Sequence, residues 1–131
     1  MRLPIALAAA LVVMPGLAQA ERLVSSPVLA RDVTTVNCLI QYVGFKVTPV
    51  PVRITIKEGK AVLRQDNAGQ LSRHQPSYSS AAICHAGQSA TCGGVICIFN
   101  FNGPKADFRA SACVDRGDGQ DNSGQLCLPA Y

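Results

Sequence analysis

Six cysteines constrain this chain more than any other feature of its sequence. Their number is even, and all lie well beyond an N-terminal stretch that has the layout of an export signal: Cys38, Cys84, Cys92, Cys97, Cys113 and Cys127. Export delivers cysteines to a compartment in which disulfides persist, so we expect three bridges. A zinc site is the alternative, but no C-x-x-C or H-x-x-x-H pair supplies two neighbouring ligands.

The pairing of these cysteines is only partly indicated by their spacing, because six cysteines can pair in many ways. We favour Cys113 with Cys127, since the Asp- and Gly-rich stretch 115–124 between them is too polar to order itself. Closing a loop of about 15 residues contributes about 3 kcal/mol in the chain-entropy model. The remaining preference is Cys84 with Cys92, which leaves Cys38 with Cys97.

The first 20 residues have the layout of a cleaved signal peptide. Arg2 supplies the cation, an apolar run extends to Val13, and the segment ends on the small-residue tripeptide AQA. A membrane-spanning helix would need about 20 apolar residues, and Pro15 interrupts this run. We therefore expect cleavage after Ala20 and a periplasmic or secreted protein with no transmembrane segment after cleavage.

The remaining 111 residues, 21–131, fit one domain, since domains commonly have about 100–150 residues. Apolar and polar residues alternate in several segments of it, which is the pattern of half-buried strands. Glu58-Gly59 and Asn102-Gly103-Pro104 are turn signals, so the segments on either side of each predict a hairpin. The predicted strands are 33–43, 52–57, 61–63, 95–102 and 107–114.

Two other segments have weaker patterns. Residues 65–78 contain glycine, proline and several serines with no apolar period, and they are predicted to be a loop. Residues 79–86 fit a helix and a strand equally well. The predicted fold is mostly β: a small antiparallel sandwich or open barrel with three disulfides and at most one short helix.

No cofactor is expected from the residues that remain after cleavage. Both methionines, Met1 and Met14, lie in the predicted signal peptide, so the domain has none to serve as a ligand of haem or blue copper. The candidate metal ligands are the carboxylates of Asp115, Asp118 and Asp121. They do not have the spacing of an EF-hand, and a solvated, turn-rich loop has the same composition, so we predict no metal.

The candidate catalytic residues are the two histidines, His74 and His85. A small hydrolase of nuclease type could use two imidazoles as general base and general acid near neutral pH. His74 lies in the polar loop and His85 follows a cysteine. Nothing in their spacing brings them together, so a catalytic role is the alternative interpretation and not the preferred one.

The charge of the chain mildly favours anionic surfaces, but its cations are scattered. Loss of Arg2 lowers the formal net charge from +4 to +3, and no block of cations interleaves with aromatic residues. We therefore predict no nucleic acid partner. The cations that cluster on the first hairpin are interpreted as a solvated sheet face; they are Lys46, Arg53, Lys57, Lys60 and Arg64.

The functional hypothesis follows from missing catalytic motifs and from long polar loops on a crosslinked scaffold. We expect a non-catalytic exported binding or accessory module, with an inhibitor as one form of it. It would recognise a macromolecule, either a protein or an envelope component, through loops 65–78 and 115–124. The module is expected to be a monomer.

Overall fold

A computed structural model of the protein describes residues 20–28, 34–84, 94–116 and 126–131. Within these ranges the chain has eight strands: β1 (Ala20–Val24), β2 (Thr34–Tyr42), β3 (Val50–Glu58), β4 (Ala61–Leu71), β5 (Ser77–Cys84), β6 (Val95–Asn102), β7 (Phe108–Arg116) and β8 (Leu126–Pro129). The same ranges contain no α-helix, only one 3-10 turn, Lys105–Asp107. Among the described residues there is no helix of the length and hydrophobicity that crossing a membrane requires.

The strands form two four-stranded sheets. Their orders are β1-β6-β3-β4 and β5-β2-β7-β8, and every neighbouring pair is antiparallel. Neither sheet closes into a barrel within the described residues. The predicted mostly β, antiparallel architecture is thus confirmed, and β6 occupies a central position in its sheet as its continuous apolar run indicates.

One core is shared by the facing sides of both sheets. Phe99 and Ile54 from the first sheet and Ile40 from the second are fully buried in it. The alternation predicted for residues 33–43 is confirmed along β2, where the side chains of one face are buried: Val36, Cys38, Ile40 and Tyr42. Removal of this apolar surface from water is the main force that holds the sheets together.

Two disulfides reinforce this arrangement. Cys38 of β2 and Cys97 of β6 join the two sheets through the core, with their Cα atoms 5.7 Å apart. Cys113 and Cys127 are directly paired residues of β7 and β8, so their bridge lies within one sheet. Both predicted pairs are confirmed. The third, Cys84 with Cys92, lies outside the residues whose side chains the structure describes.

The first predicted hairpin is confirmed as β3 and β4. Its turn uses Gly59 with φ of +54°, a left-handed conformation that glycine adopts without a steric penalty. The predicted loop 65–78 is wrong, because β4 continues to Leu71 and β5 begins at Ser77. β4 lies at the edge of its sheet, and its residues 64–67 are all polar, so no apolar alternation identifies them as strand. Two register shifts also interrupt the pairing of β4 with β3.

The second predicted hairpin is wrong. β6 and β7 follow each other in sequence, but β6 pairs with β1 and β3 while β7 pairs with β2 and β8. The connection 103–107 carries the chain from one sheet to the other. Alternation identifies each strand but not its partner, and here each strand is paired with segments distant in sequence.

Three further elements complete the sheets. The ambiguous segment 79–86 is a strand as far as Cys84, as part of β5. β1 and β8 were not predicted, because four or five residues are too few for a periodic signal. The end of β1 is hydrogen-bonded to Tyr131, which lies two positions beyond the end of β8. The Val24 amide donates to the Tyr131 carbonyl at 2.9 Å, and the Tyr131 amide donates to the Val24 carbonyl at 3.1 Å.

Candidate functional site

Three connections of the fold converge at one end of the two sheets. Val50, the first residue of β3, pairs with Leu71, the last residue of β4. Tyr42, the last residue of β2, pairs with Phe108, the first residue of β7. The segments that follow β2, β4 and β6 therefore lie together. We call this surface the three-loop end and define it as residues 43–49, 72–76 and 103–107.

Backbone hydrogen bonds brace these loops against each other and against the strands. The Val43 amide donates to the Asp107 carbonyl at 2.8 Å, which ties the first loop to the third. The Arg73 amide donates to the Lys46 carbonyl at 3.1 Å, which ties the second loop to the first. In the second loop, the buried Ser72 hydroxyl accepts hydrogen bonds from the amides of residues 74 and 75. The loops are thus held in place by their own backbone.

Two aromatic residues at the ends of β2 and β7 pack beneath the first loop, on the side of the core. Tyr42 is almost fully buried and its ring contacts Phe108 at a centroid distance of 5.3 Å. Its hydroxyl accepts a hydrogen bond from the Lys46 amide at 3.1 Å. The chain can turn here only because Gly44 has no side chain: a Cβ at this position would lie 2.5 Å from Cζ of the Tyr42 ring.

The braced first loop exposes apolar side chains to solvent. Phe45 is 87 % exposed, Val47 is 58 % exposed and Val43 is 49 % exposed. A single exposed apolar residue needs no explanation, but here three lie within five residues of one hydrogen-bonded loop, and clustered exposed apolar side chains are candidates for an interaction surface. We call these three side chains the apolar patch. The aromatic side chain is the largest contributor, because a phenylalanine can bury about 150–250 Å².

Three cations lie on the same three loops as this apolar patch. Each of the three loops contributes one exposed cation: Lys46, Arg73 and Lys105. Asp107 is the only acidic residue of the three loops. The three-loop end therefore combines an apolar tip with a net positive charge, and both features come from loops whose relative positions the hydrogen bonds determine.

No family model matches the chain, and searches of curated proteins and of solved structures find no match.

Of the predicted catalytic residues, His74 lies in the second loop of the three-loop end. Its side chain is exposed, and its backbone amide donates a hydrogen bond to the Ser72 hydroxyl at 3.2 Å. His85 lies outside the described residues. The structure therefore leaves the proposed catalytic pair of His74 and His85 untested.

The predicted metal ligands are also largely outside the described residues. The backbone of Asp115 belongs to β7, whereas Asp118 and Asp121 fall in the segment that is not described. In the ranges that are described, His, Cys, Asp and Glu residues form no group of three that could hold a metal ion.

Two shallow depressions lie on the outer faces of the sheets. One, of about 390 Å³, is bordered by polar side chains of the first sheet that include Arg53, Asn67 and Asn100. The other, of about 340 Å³, is bordered by Gln41, Arg109 and residues of β8. Neither depression is lined by a histidine or a carboxylate, so neither has the acid and base groups of a hydrolase.

Within the ranges that the structure describes, one carboxyl group, that of Asp66, has a clearly shifted pKa, and its partners are structural contacts. The pKa of Asp66 is lowered, first because the Ser80 hydroxyl donates a hydrogen bond to its carboxylate at 2.8 Å and further because Arg64 lies 3.1 Å away, although desolvation acts in the opposite direction. Asp66 is on edge strand β4 and Ser80 is on edge strand β5. This contact therefore links the two sheets along one side.

Sequence reasoning missed the three-loop end as a site. The signal was present: Val43, Phe45 and Val47 alternate with Gly44 and Lys46 just after a strand. Without a fold, such a run is indistinguishable from a continuation of the strand, which would bury the same residues. Their exposure is decided by the turn at Gly44 and by contacts with two other loops.

Proposed function

We propose that this protein is an exported, non-catalytic binding module that recognises a macromolecular partner through the three-loop end. The observation that carries the proposal is the exposure of Phe45 and Val47 on a loop that backbone hydrogen bonds hold in place. Burying a phenylalanine side chain stabilises a folded state or a complex by about 1.5–3 kcal/mol. In the isolated domain the Phe45 side chain is exposed to water, so a complex in which a partner buries it would be stabilised by this amount.

Export is the second part of the proposal. Cleavage after Ala20 would release the domain 21–131 into the periplasm or the medium, with the first residues of the mature chain continuing as β1. The two disulfides are compatible with a compartment outside the cytoplasm. The two facing sheets would then form a small sandwich, a rigid scaffold whose surface loops bind the partner.

The recognition surface differs from the one that the sequence indicates. The segment 65–78 contributes only its short connection 72–76, because the rest of it is strand. The surface gains loops 43–49 and 103–107, which lie beside it. Of the second predicted recognition loop, 115–124, residues 115 and 116 are the end of β7, and residues 117–124 lie outside the described residues.

The test compares the mature, disulfide-bonded protein with the double variant Phe45→Ser/Val47→Ser in co-sedimentation with cell envelopes of the organism that encodes it. We expect the variant to bind roughly tenfold or more weakly, because removing a central apolar contact costs about 2 kcal/mol or more. Val62→Ser is the matched control. Val62 is 54 % exposed on the first hairpin, at the other end of β3.

Equal co-sedimentation of the wild-type protein and the double variant would contradict the proposal, as would an equal loss in the control. A catalytic role is tested in parallel with generic nuclease and esterase substrates. Activity in the wild-type protein that His74→Ala abolishes would replace the binding module with a hydrolase.

A further inference from the structure

We infer that the partner of the three-loop end is the surface of a bilayer that contains anionic phospholipid. This inference rests on the proposed function and names the chemistry of the same surface. Interfacial binding combines apolar side chains that enter the boundary between headgroups and acyl chains with cations that meet anionic headgroups. The three-loop end presents both, on loops that are already ordered.

The apolar part of the three-loop end is the tip of its first loop. Phe45 is the most exposed large apolar residue of the described chain, at 87 %, and Val43 and Val47 are about half exposed on either side of it. The loop needs no rearrangement to insert these side chains, because the hydrogen bonds from Val43 to Asp107 and from Arg73 to Lys46 hold it. An ordered loop loses little conformational entropy on binding.

The charged part of the three-loop end consists of one cation on each loop. Lys46 lies between Phe45 and Val47 in the chain, Arg73 is hydrogen-bonded to the Lys46 carbonyl, and Lys105 is on the third loop. Salt-bridge partners within 4.0 Å are absent for all three among the described residues. Their charges are therefore free to meet phosphate groups, and the net charge of +3 of the cleaved chain adds a favourable field.

The size of the apolar patch favours a bilayer over a protein partner. The patch is confined to one phenylalanine, which can bury at most about 250 Å², and two half-exposed valines. A bilayer needs no matching pocket, and it adds an electrostatic contribution to a small insertion. Charge complementarity then selects anionic over zwitterionic lipid.

The experiment measures sedimentation of the mature, disulfide-bonded protein with vesicles of phosphatidylcholine alone or of phosphatidylcholine mixed with phosphatidylglycerol. We expect binding to the mixed vesicles only. Binding should fall when salt is raised from about 0.1 M to about 1 M, which shortens the Debye length from about 10 Å to about 3 Å. Binding to both kinds of vesicle that salt leaves unchanged would overturn the inference.

Two variants separate the electrostatic contribution to vesicle binding from the apolar contribution. Lys46→Gln/Arg73→Gln should weaken binding to mixed vesicles about 30-fold, since each cation near an anionic surface contributes about fivefold. The bracing hydrogen bonds use backbone atoms of both residues, so they survive the substitutions. Phe45→Ser should weaken binding roughly tenfold or more.

The matched control is Val62→Ser/Lys60→Gln, which removes one exposed apolar residue and one exposed cation from the first hairpin. It should bind as the wild-type protein does, and an equal loss there would overturn the inference. Each variant is compared with the wild-type protein by far-ultraviolet circular dichroism and thermal unfolding, so that a misfolded variant is recognised.

The outcomes also distinguish this inference from the proposed function. If no vesicle is bound but Phe45→Ser/Val47→Ser still abolishes envelope co-sedimentation, the lipid inference is wrong and the partner is another component of the envelope. If neither vesicles nor envelopes are bound, both proposals are wrong.

Discussion

The strongest prediction concerns the disulfide that joins the two sheets. Cys38 and Cys97 lie on different sheets, are fully buried, and are separated by 59 positions in the chain. The double substitution Cys38→Ala/Cys97→Ala removes the bridge without leaving an unpaired thiol. It also leaves the backbone pairing of β2 and β6 within their own sheets unaltered, so its effect reports on the link between the sheets.

The expected loss follows from the length of the closed loop. In the chain-entropy model, a loop of about 60 residues contributes about 4 kcal/mol at 25 °C, and a loop of about 15 residues contributes about 3 kcal/mol. The second figure applies to Cys113–Cys127, whose separation is 14. Loss of two buried sulfur atoms from the core adds to the effect at Cys38 and Cys97. Since a domain is stable by about 5–15 kcal/mol, the loss would be a large share of the total.

The assay is urea unfolding of the mature protein, followed by far-ultraviolet circular dichroism. We expect the free energy of unfolding to fall by about 4 kcal/mol or more in Cys38→Ala/Cys97→Ala and by about 3 kcal/mol in the control Cys113→Ala/Cys127→Ala. A smaller loss for the inter-sheet pair than for the control would refute the reasoning, because it would mean that the sheets stay together without the link.

Two further predictions concern side-chain contacts. Gly44→Ala should lower the free energy of unfolding by about 1–3 kcal/mol, because the new Cβ collides with the buried Tyr42 ring. Thermal unfolding measures this, with the exposed Thr48→Ala as a control whose midpoint should not change. An unchanged midpoint for Gly44→Ala would contradict the prediction. The lowered pKa of Asp66 predicts stability that is present above about pH 4 and lost as pH falls through the folded-state pKa. Urea unfolding across this range should show a shallower pH dependence for Asp66→Asn, and identical slopes would refute the assignment.

The candidate site could not have been located from the sequence. Phe45 and its neighbours alternate like a strand, and only the turn over the Tyr42 ring sends them into solvent. The cations Arg73 and Lys105 are distant from Lys46 in the chain and meet it through the folding of three separate connections. Sequence reasoning could therefore assign charge and apolarity to each loop, but not the surface that they form together.

Local signals were sufficient for the elements whose patterns are intact. The strands β2, β3 and β6 were predicted because their pleated backbone places alternate side chains on a buried face, which is a property of adjacent residues. The disulfide Cys113–Cys127 was also predicted, from the need to pin a polar stretch, and Cys38–Cys97 was the pair left by the other two preferences. Where an edge strand has polar residues on both faces, as β4 has at 64–67, the same rule fails.

The partners of the strands were decided by the tertiary structure. Residues before and after Gly103 look like a hairpin, yet β6 and β7 end in different sheets because each pairs better with strands from elsewhere in the chain. Alternation depends on neighbours along the chain, so the amino-acid sequence alone determines it. Strand pairing and loop exposure depend on which combination of distant segments excludes most water from one core, and only the whole fold determines that.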